Sequence, residues 1–236
     1  MAELVDAVPA RALAVYAHPD DAEISCGGTL ATWAGAGSEV HVLVCTLGDK
    51  GSTDPDVDGG DLASRRREES EAAAAVLGVA ATHRLGVPDG DLVADNETCG
   101  RIVEVVRRVR PDVVVCPDPT ALLFGDRYWN HRDHRAAGTA TLDAVAPAAA
   151  NPHYFPGAGG DPHQVRDVYL SGTLDPNVWI DVSDAIERKI DALFCHRSQL
   201  SDTSEYFRGF LRERAEDAGR AAGVRYAEGF RRVALA

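Results

Sequence analysis

Four short apolar runs of β-prone residues, 12–16, 40–46, 113–116 and 165–170, alternate with longer segments of helical periodicity. The helical segments are 22–34, 62–77, 97–110, 134–145, 184–194 and 204–222. Strands this apolar must be covered on both faces, and helices between them are what covers them. The pattern predicts an α/β fold, a mostly parallel sheet with helices on both sides. Stop signals stand where such helices should end: Gly35 and Gly37 after the first, Gly78 after the second and Pro111 after the third. With 236 residues, 45% of them apolar, the chain suits one domain over 1–236; two would be cramped.

Charge and cysteines exclude several functions. A formal net charge of −13 argues against nucleic acid or an anionic membrane surface as partner, since both are held by lysine and arginine. Cys26, Cys45, Cys99, Cys116 and Cys195 are odd in number and widely spaced, so they read as thiols of a reducing compartment, and cytoplasm is the expected location. Residues 1–11 fit neither a signal peptide nor a membrane span. No Gly-x-Gly-x-x-Gly, phosphate loop or Gly-x-Ser-x-Gly elbow is present. Asp54-Pro-Asp56-Val-Asp58-Gly59 opens like a calcium loop but puts Arg65 where the bidentate glutamate belongs. Segments 47–61 and 147–161, rich in Gly with Asp or Pro, are expected to border the site as mobile rims. Substrate choice is assigned to 147–163.

Chemistry concentrates in two clusters. Ala17-His18-Pro19-Asp20-Asp21-Ala22-Glu23 follows the first strand, and His131-Arg132-Asp133-His134 lies far downstream. Alone, the first reads as a solvated turn with a helix cap and the second as exposed histidines at a helix start. Together they offer one mononuclear metal site, because loops after parallel strands lie side by side. The residues point to His18, His134 and one of the adjacent Asp20 and Asp21, whose side chains diverge too much to chelate one ion together. Asp133 either orients His131 or another ring, or caps a helix starting at His134. Glu23 is either close support for the site or first-turn helix charge, and His196 is expected to pack with Ser198 and Gln199.

Followed by Cys26-Gly27-Gly28-Thr29-Leu30, the first cluster resembles the signature of the PIG-L/LmbE-like N-deacetylases. Further blocks resemble that family in order: Arg66-x-x-Glu69 with Val76-Leu77-Gly78-Val79, Pro88-Asp89-Gly90, His131 to His134, and Lys189, Ala192 and His196-Arg197-Ser198-Gln199. The resemblance implies a Rossmann-like fold with zinc, or alternatively iron(II), on His18, Asp21 and His134. It assigns Asp20 as general base and His131 to the oxyanion, with an acid role open, and gives Arg66 and Asp89 to substrate binding. Tyr128 stands three positions before His131, where relatives have a tyrosine two before.

The activity so implied is release of acetate from an N-acetylglucosamine-type or related acetamido sugar conjugate, a small-molecule partner. No nucleic acid or membrane span is expected, and a homo-oligomer is compatible with the sequence. An amidase removing a larger acyl group from a thiol–sugar conjugate is the alternative within hydrolases. A metal- or sugar-binding module without turnover is the alternative from another class.

Overall fold

β2 (Arg11–Tyr16) is apolar throughout because it is the middle of the sheet: it pairs in parallel with β3 (Glu39–Thr46) on one side and β5 (Val113–Pro117) on the other. The computed structural model describes residues 3–126, 128–200 and 204–235. Its other strands are β1 (Glu3–Leu4), β4 (Ala81–Val87), β8 (Asp167–Ser171), β9 (Val178–Asp181) and β10 (Ala227–Ala234), with a separate ribbon of β6 (Leu123–Phe124) and β7 (Tyr128–Trp129). The main sheet has the order β1-β9-β10-β8-β5-β2-β3-β4, and β10 alone runs antiparallel to its neighbours. The fold is a Rossmann-like α/β domain, as the sequence predicts.

Strand alternation sorts the core into two layers. Ala12, Ala14 and Tyr16 of β2, with Val40, Val42 and Val44 of β3, pack under α1 (Asp21–Gly35), α2 (Gly59–Leu77), α5 (Ile186–Leu193) and α7 (Ser204–Ala222). Leu13, Val15, Leu43 and Cys45 face α3 (Asn96–Val109) and α4 (Arg132–Asp143). The short α6 (Arg197–Leu200) is capped from α2, where Glu69 accepts from the Ser198 backbone N–H at 2.8 Å and its hydroxyl at 2.6 Å. The chain runs β2, β3, β4 outward, then crosses back to β5 beside β2. That reversal opens a crevice at the carboxyl ends of β2 and β5, where folds of this kind bind ligands.

The Asp-rich stretch before α2 proves to be a helix start, with the Asp58 carboxylate accepting from the Asp61 N–H at 3.0 Å. Gly78 ends α2 at φ 82°, the left-handed conformation glycine adopts without cost. α1 breaks at Cys26 (φ −142°), and Glu228 of β10 restarts it by accepting from Gly28 N at 3.0 Å and Thr29 N at 2.7 Å. A Cβ on Gly28 would stand 2.8 Å from the Val182 Cβ, so the Gly-Gly of the motif follows from close packing.

The segment 147–161 does not rim the site. It is fastened near the amino end of the sheet, where the buried Arg107 donates to the carbonyls of Ala148, Ala149, Asn151, Tyr154, Phe155 and Ala158, and His163 Nε2 meets the Pro111 carbonyl at 2.7 Å. Composition marks it correctly as a loop, but a loop after a helix falls at the sheet's amino end. Arg107→Ala would strip these carbonyls of a charged donor, and a loss of about 3–5 kcal/mol is expected in urea unfolding. Arg107→Lys, with one point of charge for six dispersed oxygens, should fall between the two.

Candidate active site

The loop after β2 turns sharply at Asp20, whose φ of 108° is rare for a residue with a side chain. Arg66 of α2 supports that turn: its Nη2 donates to the Pro19 carbonyl at 2.6 Å and to Asp20 Oδ2 at 3.1 Å, and its Nη1 to the Gly48 carbonyl at 3.1 Å. The turn aims His18 and Asp21 at one point. His134, in the first turn of α4, arrives there from the loop after β5.

Hydrogen bonds set which nitrogen of each ring faces the common point. His134 Nδ1 faces Asn130 Oδ1 at 3.1 Å, which accepts, so Nδ1 carries the proton and Nε2 presents a lone pair. His18 Nε2 faces Asp89 Oδ1 at 3.1 Å and Asp133 Oδ2 at 3.4 Å, which hold a proton there and leave Nδ1 as the nitrogen on which a metal cation would replace a proton. His18 Nδ1 and His134 Nε2 stand 3.2 Å apart. Asp21 adds Oδ2 at 3.3 Å from His18 Nδ1 and Oδ1 at 3.1 Å from His134 Nε2. Tetrahedral zinc with bonds of 2.0–2.1 Å spaces its ligand atoms about 3.3 Å apart. The donor set and its spacing therefore fit one such ion, and carboxylates behind the imidazole are the usual support of a metal-binding histidine.

Electrostatics separate the adjacent aspartates. Burial opposes the charge on Asp21, but His134 and His18 hold its carboxyl well below the usual carboxylate range. Burial and then the Asp21 charge push Asp20 up to about 7, against the pull of Arg66 and His196. Burial also opposes charge on His18, yet Asp133, Asp21 and Asp89 raise it to about 12. A pocket so rich in carboxylate suits a cation.

His131 caps α4, its Nδ1 accepting from the Asp133 N–H at 3.3 Å. Burial, followed by His18 and His134, lowers its pKa, so the ring is neutral and its proton sits on Nε2 as a free donor. One ring nitrogen each of His18, His131 and His134 lie within 4.8 Å of one another. Asp133 is thus not the helix cap: fully buried, it accepts from the Gly90 N–H at 2.7 Å and faces His18 rather than His131.

All the residues singled out from sequence, His18, Asp20, Asp21, Arg66, Asp89, His131 and His134, meet in this crevice. Arg66 is 3% exposed and leaves its Nε without a partner. Asp89 is fixed by Asp49, which accepts from its backbone N–H at 2.8 Å. Glu23 lies in the first turn of α1 but is buried, its carboxylate 3.6 Å from the ring of His196. Tyr128 lies on the short β6–β7 ribbon three residues before His131, and its side chain is exposed. Asn130 escaped the sequence reading; a polar residue just before the histidine cluster was its only signal.

Fold and donor set together define a Rossmann-like α/β protein with a candidate metal centre at its switch point. Residues 13–145 match the PIG-L family, GlcNAc-PI de-N-acetylase, and the chain belongs to that family. The diacetylchitobiose deacetylase of Thermococcus kodakarensis is 38% identical over 227 residues, covering 94% of this chain and 83% of its own length. The 1D-myo-inositol 2-acetamido-2-deoxy-alpha-D-glucopyranoside deacetylase of Mycobacterium sp. (strain KMS) is 32% identical over 248 residues, covering 85% and 76%. The structure of N,N'-diacetylchitobiose deacetylase from Pyrococcus horikoshii, complexed with its inhibitor MPG, matches with a TM-score of 0.88 at 34% identity, covering 96% of this chain and 84% of that one.

Proposed function

We propose that this chain, acting as one domain over 1–236, is a zinc-dependent N-deacetylase of an N-acetylglucosamine-type sugar conjugate, with acetate as product. The observation that carries this reading is the meeting of three lone-pair donors, His18 Nδ1, His134 Nε2 and the Asp21 carboxylate, 3.1–3.3 Å apart beside a separate aspartate. Zinc held there would acidify a water and polarise the amide carbonyl. Relatives named as deacetylases of diacetylchitobiose and of a 2-acetamido-2-deoxyglucopyranoside of inositol support the substrate class.

Asp20 takes a proton from the attacking water, a role suited by a carboxyl held near neutrality. It then holds that proton for the leaving amine nitrogen. His131 Nε2–H donates to the oxygen that gains charge as the amide carbon becomes tetrahedral. Hydrolysis then balances as amide plus water giving carboxylate and ammonium. Arg66 and Asp89 are assigned to the sugar side of the crevice, Arg66 acting from beneath the Pro19–Asp20 turn that it holds. Because Arg66 also holds the Asp20 carboxylate, Arg66→Ala should lower kcat as well as raise KM in steady-state kinetics on the best substrate, and a rise in KM alone would confine Arg66 to substrate binding.

A cytoplasmic setting is supported by five free thiols. Among the described residues no helix is long and apolar enough to cross a membrane. The test of the whole reading is acetate release from a panel of acetamido sugars by the zinc-loaded protein, alongside conjugates carrying larger acyl groups. Acetate from an N-acetylglucosamine conjugate supports the proposal. Turnover of only the larger acyl groups would make the chain an amidase, and no turnover would make it a binding module.

A further inference from the structure

At the opposite end of the sheet, two histidines meet across neighbouring strands. His41 of β3 alternates with Leu43 and Cys45, so it faces the α3 side, and His83 stands beside it on the edge strand β4. Their rings stack with centroids 5.4 Å apart and planes at 21°, and His41 Nδ1 lies 3.2 Å from His83 Nε2. On its other side His41 Nε2 faces Glu39 Oε1 at 3.1 Å, while Arg11 Nε donates to Glu39 Oε2 at 2.9 Å. The carboxylate keeps the His41 proton on Nε2 and turns the Nδ1 lone pair toward His83.

This is the same carboxylate-backed imidazole found at His18, and it is the arrangement that orients metal-binding histidines. The nitrogen separation is close to the roughly 3.3 Å between two ligands of a tetrahedral zinc ion. Burial, His41 and the Arg108 guanidinium from α3 lower the pKa of His83, which keeps that ring neutral and able to ligate. His41 is buried and His83 only half-buried, so water can fill the remaining positions.

We propose that His41 and His83 form a second, weaker site for a divalent transition metal, distinct from the catalytic cluster, which ties edge strand β4 to β3. With two protein ligands it should bind zinc less tightly than the triad of His18, Asp21 and His134. Occupancy would stabilise the fold by mass action.

The competing reading is a plain N–H···N hydrogen bond, and zinc titration separates the two. Protein already holding one equivalent of Zn2+ should bind a second by calorimetry, with imidazole 15N shifts confined to His41 and His83 in that step. Glu39→Ala, which leaves both ligands, should weaken the second step about tenfold. His83→Gln should abolish it. Absence of a second step, unshifted His41 and His83 resonances on the wild-type protein, or unaltered second-step affinity in His83→Gln would each overturn the proposal, and the first two need no variant to fold.

Discussion

Asp20→Asn is expected to keep its metal and lose about two to four decades of kcat, the worth of a positioned general base. Asparagine preserves size and tolerates the positive φ that this position requires, so the turn should survive. Arg66 also keeps its hydrogen bonds to the Pro19 and Gly48 carbonyls when the carboxylate becomes an amide. What disappears is the capacity to accept a proton. Metal analysis and single-substrate kinetics on the purified variant check both halves of the expectation, and loss of metal would mean that Asp20 is a ligand.

Asp21→Asn is expected to fail in the other order, losing metal first and activity with it. The Asp21 carboxylate touches both ring nitrogens of the triad and also accepts from the His18 backbone N–H at 2.8 Å. Removing an outer-shell partner of a metal site typically costs 10–100-fold in affinity, so removing a ligand should cost more than about a hundredfold. His18→Ala and His134→Ala should deplete the metal likewise. Competition with a chromophoric chelator measures the affinities, and full metal retention in all three variants would sink the ligand assignment.

The contrast between the adjacent aspartates is an effect of chain direction. Asp20 sits at the turn and meets Arg66 on one side of the crevice, whereas Asp21 opens α1 and meets the histidines on the other. Sequence suggested that one binds and one is left over, but only a family resemblance could say which. The paired strands and the spacing of the clusters made the crevice itself legible, because β2 and β5 are apolar runs that have to lie inside the sheet. Edge elements were not legible. Ala81 to Val87 reads Ala-Thr-His-Arg-Leu-Gly-Val, without alternation, since β4 lies at an edge and is half-exposed. The strands β1, β9 and β10 were missed as well; β10 carries Arg231 and Arg232, which pair with Asp175 and Asp167 rather than with the core.

The support around the site was harder still to foresee. Asp133 could be read either as a helix cap or as support for a ring, and its burial under the loop after β4 turns it onto His18. Only contacts between residues far apart in sequence decide such a question. The error over 147–161 has the same origin. Glycine and proline mark a loop but carry no information about which end of a sheet it closes, and Arg107 draws this one to the end away from His18, His131 and His134.

On the proposed function, one metal ion in the His18, Asp21 and His134 triad makes this chain a deacetylase. The most direct test strips the protein of metal, confirms that it remains folded, and follows acetate release from an N-acetylglucosamine oligosaccharide as Zn2+ is returned. Acetate release should be absent without metal, rise linearly, and level off at about one equivalent per chain, with one free amine formed for each acetate. Undiminished acetate release from the metal-free protein, or none from folded, zinc-replete protein on any acetamido sugar, would contradict it.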